Sequence, residues 1–138
     1  MNFLKKAQVA FEYLMIFGIV LGFAIPVWIY VSNLQRQTGT DMYLSYAKNT
    51  ANQIADTADL VYSQGAPAKV RIKVYIPKHV VSANITGREI NFNMSYMDGY
   101  TDVFATSMAP LNGSLPNLEG VYWIEIEATD SGVDITPV

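Results

Sequence analysis

The chain contains one long stretch without charged side chains close to its N-terminus. The uncharged run from Tyr13 to Val31 is nineteen residues long, which corresponds to about 28 Å as an α-helix. This length roughly matches the hydrocarbon core of a bilayer, which is about 30 Å thick. Lys5 and Lys6 precede the run, and basic residues beside a membrane span favour the cytoplasmic side. We therefore expect a membrane-inserting helix with a cytoplasmic N-terminus and an outward-facing remainder.

The composition narrows the classes of function. Charged side chains make up 15% of the 138 residues, well below the roughly 25% of an average soluble domain. Nine Lys and Arg against twelve Asp and Glu give a net charge of −3, so no nucleic-acid partner is expected. The chain has no cysteine and a single histidine, His79, which removes thiol nucleophiles, cysteine-ligated metals and histidine clusters. We expect no enzyme activity, no cofactor and no metal site.

The apolar segment has two simple interpretations. A secretory signal peptide has a shorter apolar stretch and ends at a small-x-small cleavage site, whereas Gly22-Phe23-Ala24 is followed by more apolar sequence. A transmembrane anchor explains the length and the two lysines. It does not explain Glu12, because an unpaired carboxylate is costly in lipid unless its side chain extends to the interface.

The residues that lead into the apolar run carry a more specific pattern. The sequence Lys5-Lys6-Ala7-Gln8-Val9-Ala10-Phe11-Glu12 runs directly into the apolar helix. It resembles the class III signal peptide of archaeal type IV pilin-like proteins, in which a short basic leader ends in a small residue before Gln. The family motif is Gln-x-Ser-x-Glu followed by apolar residues. Gln8 and Glu12 have the family spacing, whereas Ala10 stands where Ser is usual and Ile16 where Leu is frequent.

The resemblance implies a processing site and a function. Residues 1–7 would be a leader that a prepilin peptidase removes between Ala7 and Gln8. Glu12 would then lie one helical turn from the new amine and pair with the amine of a neighbouring subunit during assembly. The implied protein is a structural subunit of a type IV pilus-like surface filament that serves adhesion. Its implied partners are further copies, the peptidase and the assembly machinery, with the membrane holding the precursor.

One alternative from another class stays open at this point. The chain would be a monomeric surface binding protein, anchored by an apolar helix that is never cleaved. The mature N-terminus distinguishes the two interpretations.

Small residues and one proline give the apolar helix its expected packing properties. Gly18 and Gly22 have the small-x-x-x-small spacing that permits close approach of helices, although glycine is also common in membrane helices. Pro26 is expected to kink or loosen the helix rather than end it. Thr38-Gly39-Thr40 is a possible break, because Gly inside a helix costs roughly 1 kcal/mol relative to Ala.

An apolar stripe at helical spacing follows this possible break. Its members are Tyr43, Ala47, Ala51, Ile54, Ala58 and Val61. The stripe ends at Gln64-Gly65-Ala66-Pro67, where Gly and Pro together terminate a helix. We therefore expect a long N-terminal helix over residues 8–65, hydrophobic in its first half, with a following domain packed on the stripe.

Residues 66–138 are predicted to form a β-rich extracellular head domain, because the apolar period changes from 3.6 to 2. The predicted strands begin near Lys69, Val80, Glu89, Tyr100, Val121 and Val133. Asp98-Gly99 predicts a two-residue hairpin turn, and Met108 to Gly120 is predicted to be a loop. The expected fold class is therefore α+β, with a small antiparallel domain of five to six strands.

The head offers little recognisable chemistry. His79 follows Pro77-Lys78 and is expected to be an exposed turn residue. Asp98 and Asp102 lack the regular spacing of an EF-hand calcium loop. Trp123 and the nine tyrosines offer an adhesive or sugar-binding surface, but packing in the core is their expected use.

Three acceptor sequons for N-glycosylation lie in the predicted head. They are Asn84-Ile85-Thr86, Asn93-Met94-Ser95 and Asn112-Gly113-Ser114, and none has Pro in the middle. The predicted positions are a turn edge, the polar face of a strand and a loop. We therefore expect glycans on the native protein.

Charged residues in the head are ordered along the chain. Lys69, Arg71 and Lys73 share one face of the first predicted strand, and Glu125 and Glu127 share one face of a later strand. If these strands are neighbours, each opposite-charge pair contributes roughly 0.2–1 kcal/mol. We expect this pairing within one subunit; the alternative is pairing between subunits of a filament.

Overall fold

A computed structural model describes residues 2–138 of the chain. It confirms the α+β class, because one long helix, α1 (Asn2–Gln64), is followed by a small β domain. The helix is continuous through Pro26 and through Gly39. The expected break at Thr38-Gly39-Thr40 is therefore wrong. A single Gly costs only about 1 kcal/mol, and the residues on both sides of it continue the helical hydrogen bonding.

The chain divides into two compact units at the middle of this helix, residues 2–39 and residues 40–138. The first unit is helical throughout, and every residue from 2 to 31 is exposed. The second unit contains the rest of α1 and all the strands.

Seven strands form two sheets in the second unit. The strands are β1 (Lys69–Ile76), β2 (Val80–Thr86), β3 (Glu89–Tyr96), β4 (Gly99–Thr106), β5 (Leu111–Gly113), β6 (Gly120–Thr129) and β7 (Gly132–Pro137). The four-stranded sheet has the order β1-β6-β7-β5, and the three-stranded sheet has the order β2-β3-β4. All neighbouring pairs are antiparallel except β5 and β7.

Two details of the β domain differ from the sequence prediction. The expected loop from Met108 to Gly120 contains the short strand β5, which pairs in parallel with β7. Three residues are too few to display a period of two, so this strand leaves no alternating pattern. The β3–β4 turn consists of Met97 and Asp98, and Gly99 already pairs with Tyr96. Met97 takes the positive φ of 48° that this turn requires.

The second half of α1 packs against both sheets, which confirms the predicted stripe. The buried helix residues are Ala47, Thr50, Ala51, Ile54, Ala55, Ala58 and Val61. Their partners on the strands include Phe92 and Met94 from the three-stranded sheet and Ile124 and Ile126 from the four-stranded sheet. Alanine supplies four of the seven buried helix residues.

Trp123 and most of the tyrosines lie outside this core, contrary to expectation, whereas Tyr43 and Tyr122 pack half-buried against it. Trp123 is 52% exposed, and Tyr100 is 74% exposed. Phe92 is the only aromatic residue among the largest fully buried side chains. Alternation places Trp123 on the outer face of β6, because its neighbours Tyr122 and Ile124 point to the other face.

Donors from α1 bond to the free edge of each sheet. Thr50 Oγ1 donates to the carbonyl oxygen of Tyr75 at 2.7 Å, and β1 is an edge strand. Lys48 Nζ donates to the carbonyl oxygen of Phe104, and β4 is an edge strand of the other sheet. Both carbonyls point away from their partner strands in the antiparallel ladder. The helix therefore satisfies backbone acceptors on both sheets.

Candidate functional site

The residues of the predicted processing site lie in the first turns of α1, where Gln8 and Glu12 share one helical face. Ala7 and Gln8 are exposed in the first turns of α1. Gln8 Nε2 donates to Glu12 Oε1 at 3.5 Å, with both side chains exposed. The four-residue spacing therefore places Gln8 one turn from the carboxylate.

The apolar half of the helix has no covering layer in the described part of the chain. Large side chains such as Phe11, Phe17 and Trp28 are each at least 60% exposed. A monomeric soluble protein rarely exposes a continuous apolar surface of this extent. The helix is long and apolar enough to cross a membrane. Its length and exposed apolar surface are consistent with association with a membrane.

The small residues of this segment leave room for a close neighbour. A Cβ placed on Gly18 or on Gly22 would meet no atom within 4 Å beyond the helix's own backbone. Pro26 lies within the same helix and does not end it. Close helix approach at Gly18 and Gly22 stays a prediction.

The outer face of the three-stranded sheet forms a polar groove of about 440 Å³. Its lining residues are Ser82, Asn84, Thr86, Glu89, Asn91, Asn93 and Asp102. No cationic side chain belongs to this lining. Asn93 Nδ2 donates to Asp102 Oδ1 at 2.8 Å. Phe104, 52% exposed, stands opposite Asn91 on the same face. The groove thus combines amides, hydroxyls and carboxylates. Phe104 lies outside its lining, and Lys48 Nζ stands 5.2 Å from the centre of the Phe104 ring.

The three sequons have different surroundings. Asn84 is exposed on β2, which is an edge strand. Asn93 is half-buried on β3, the central strand. Asn112 is exposed on β5, so the loop position predicted for it is wrong. Over residues 2–138, Asn93 is the one sequon asparagine whose side chain makes a hydrogen bond.

An ionic cluster joins β1 to β6 on the outer face of the four-stranded sheet. Lys69 Nζ lies 3.0 Å from carboxylate oxygens of both Glu125 and Glu127. Arg71 Nε lies 2.7 Å from Glu125 Oε2. Hydrogen bonds from Lys69 and Arg71 lower the pKa of Glu125 below its ordinary 4.5. The bonds to Glu125 and Glu127 raise the pKa of Lys69 above 10.5.

The remaining candidates show no catalytic arrangement. His79 is exposed in a turn, as predicted, and lies edge-on to Tyr43 with ring centroids 5.3 Å apart. Asp98 lies in the β3–β4 turn, whereas Asp102 bonds to Asn93. Over residues 2–138, no three His, Cys, Asp or Glu side chains group as metal ligands do.

One polar contact between α1 and the sheets carries no sequence signal. Asp59 accepts hydrogen bonds from Ser107 Oγ and from the backbone N–H of Met108, the latter at 2.8 Å. Ser107 is 3% exposed. Because the partners are 48 residues apart in the chain, only knowledge of the tertiary fold could have identified this contact.

The polar groove was also not predicted as a unit, although the alternation of Asn and Ser along β3 is visible in the sequence.

No family model, curated protein or solved structure matches the chain. The functional interpretation therefore depends on the residues and geometry described above.

Proposed function

We propose that the protein is a structural subunit of an archaeal type IV pilus-like surface filament, assembled through its N-terminal helix. The observation that carries this proposal is the exposure of every residue from 2 to 31 on a long apolar helix. Such a surface is satisfied by lipid in a precursor and by the apolar helices of other copies in a filament. The leader-like pattern around Gln8 and Glu12 supports the same conclusion.

The proposal has two stages that differ in location. The precursor lies in the cell membrane with Lys5 and Lys6 on the cytoplasmic side. A prepilin peptidase then cuts between Ala7 and Gln8, which removes both lysines and the charged segment that holds the N-terminus in the cytoplasm. The helix leaves the bilayer sideways and joins the extracellular filament with the help of assembly machinery.

Glu12 sets the axial register of the filament in this proposal. The amine of the new terminus and the Glu12 carboxylate both require a partner once they are buried among apolar helices. Gln8 and Glu12 are four residues apart on α1, so the amine of a chain cut before Gln8 would begin one turn from the carboxylate. A copy shifted along the filament axis brings its amine to the Glu12 of its neighbour.

The head domain is the part that meets the surroundings in this proposal. Exposed aromatic residues such as Trp123 and Tyr100 offer contact area for adhesion. Asn84 and Asn112 are exposed sequon residues, so we further propose that the head is a glycoprotein. Both properties suit the outer surface of a filament.

The mature N-terminus tests the function most directly. Mass spectrometry of the native surface protein is expected to find Gln8, or its cyclised form, as the first residue. Electron microscopy of the same fraction is expected to show filaments. A mature chain that retains Lys5 and Lys6, in a preparation without filaments, would support the anchored monomeric binding protein instead.

A further inference from the structure

We propose that Asn84 is the glycan acceptor of the three-stranded sheet, that its first sugars lie in the polar groove, and that Asn93 remains unmodified. This inference rests on the outward location of the head given above, because sequons are used in secreted parts of a protein. It distinguishes two sequons that the sequence alone presents as equivalent.

Asn84 has the properties of an accessible acceptor. Its side chain is exposed, and no hydrogen bond to it is present over residues 2–138. Thr86, the sequon hydroxyl, is also exposed and lies on the same face of β2, because side chains two apart in a strand point the same way. The strand is paired on one side only and has a register shift between Val80 and Ser82. It can therefore open locally without disturbing the rest of the sheet.

Asn93 has none of these properties. It lies on β3, which pairs with β2 on one side and β4 on the other. Its Nδ2, the atom that would carry the sugar, donates to Asp102 Oδ1 at 2.8 Å. Exposing this amide to a transferase requires breaking that bond and opening two ladders. Glycosyl transfer to the folded head therefore selects Asn84 over Asn93.

The transfer is a substitution at the anomeric carbon of the sugar. The donor is a lipid-linked oligosaccharide diphosphate, and the catalyst is a membrane-bound oligosaccharyltransferase. A bond forms between Asn84 Nδ2 and the anomeric carbon, while the bond from that carbon to the diphosphate oxygen breaks. The lipid diphosphate leaves with the electron pair, and the amide nitrogen gives one proton to a base of the transferase or to water.

The groove has the chemistry to hold the attached sugars. Its volume of about 440 Å³ lies within the range of small-molecule sites. Asn91 and Asn84 stand directly opposite each other on β3 and β2, so the groove begins at the acceptor. Amides both donate and accept hydrogen bonds, as sugar hydroxyls do. Carboxylates at Glu89 and Asp102 favour neutral over anionic sugars.

Glycopeptide mass spectrometry of the native surface protein tests the choice of acceptor. Trypsin cuts after Lys78 and Arg88, so residues 79–88 form a peptide with Asn84 as its single sequon. Chymotrypsin, which cuts after Phe104, separates Asn93 from Asn112. We expect sugar on the peptide with Asn84 and none on that with Asn93. A bare Asn84 or a modified Asn93 would overturn the inference.

Two matched variants test whether the sugar is attached through the Asn84 sequon. Thr86→Val keeps Asn84 but removes the sequon hydroxyl, so its peptide is expected to lose the sugar. Ser95→Ala destroys the Asn93 sequon and is expected to change nothing. A loss of sugar mass in Ser95→Ala would contradict the assignment.

The rate at which an enzyme removes the glycan tests whether the sugars lie in the groove. Enzymatic removal of the glycan from the folded head is expected to be about two- to tenfold faster in Asn91→Ala, the factor that corresponds to one hydrogen bond. Ser63→Ala, on the exposed helix surface, is the control. Equal rates in Asn91→Ala and the parent chain would place the sugars outside the groove.

Electron microscopy of each preparation separates this inference from the proposed function. Filaments with bare Asn84 would overturn the glycan inference and leave assembly standing. Glycosylated subunits without filaments would overturn assembly alone.

Discussion

Arg71 Nε donates to Glu125 Oε2 at 2.7 Å, and the two residues are direct cross-strand partners in the β1–β6 ladder. Lys69 lies opposite Glu127 in the same ladder. The basic and acidic strands are therefore neighbours, and their charges pair within one chain, as predicted.

This pairing makes the stability of the head dependent on pH at the acid end. The pKa of Glu125 is lowered by its hydrogen bonds to Lys69 and Arg71, so the folded state favours the ionised carboxylate. That contribution is present above the ordinary pKa of 4.5 and is lost as pH falls through the lower pKa of the folded state. Below about pH 5, we expect the free energy of unfolding of Glu125→Gln to fall less steeply with pH than that of the parent chain. Unfolding measured at a series of pH values tests this.

The matched control for this prediction is Asp130→Asn, an exposed acidic residue in the turn between β6 and β7. Its pH profile is expected to follow that of the parent chain. If the free energy of unfolding fell equally with pH in Glu125→Gln and in the parent chain, the ion pairs would not stabilise the fold.

The contact between Asp59 and the segment after β4 gives a second prediction. Asp59→Ala leaves the Ser107 hydroxyl and the Met108 N–H without their acceptor. We expect a loss of about 1–3 kcal/mol in the free energy of unfolding, because Ser107 is buried. Denaturant unfolding of the full chain in detergent measures it. Asp56→Ala, exposed on the same helix, is expected to stay within about 0.5 kcal/mol of the parent; equal losses in both variants would contradict the role of Asp59.

Gly113 is the position in β5 where a side chain has no space. Its φ is 119°, and an added Cβ would lie 1.9 Å from the carbonyl oxygen of Ile135. We expect Gly113→Ala to reduce the free energy of unfolding by about 2–5 kcal/mol, from backbone strain and displacement of β7. Gly99→Ala is the comparison, because a Cβ there meets nothing within 4 Å. A Gly113→Ala protein as stable as Gly99→Ala would mean that β5 does not pair with β7.

Glu12 provides the prediction that bears on assembly. Glu12→Ala is expected to insert and to be cleaved, but to form few or no filaments. The unpaired amine of each neighbour would cost about 3–5 kcal/mol per subunit contact. Filaments are counted by electron microscopy and cleavage by intact mass. Ser32→Ala, a polar change at the other end of the apolar run, is the control; normal filament numbers in Glu12→Ala would refute the pairing role.

The sequence predicts those parts of the structure that depend on local pattern. The alternation of Lys69 to Ile76 and the stripe from Ala47 to Val61 identify a strand and a helix face, because both periods follow from backbone geometry. The contact of Asp59 with Ser107 depends instead on which elements lie next to each other in the fold. Burial and long-range contacts of that kind are set by tertiary packing.

The same limit applies to the polar groove. The alternating Asn and Ser residues of β3 indicate a solvated strand face, but the sequence does not bring Asn84 beside Asn91. The sequons at Asn84 and Asn93 are equivalent as motifs. Their difference arises from sheet order, since one lies on an edge strand and the other on the central strand.

The bonds from Lys48 and Thr50 to the edges of the two sheets have a consequence for crowding. An open strand edge is a template for uncontrolled joining of sheets between molecules. Here the helix occupies part of each edge beside it, through the carbonyls of Phe104 and Tyr75. Copies of this chain at high density are thereby hindered from joining edge to edge into amyloid-like aggregates.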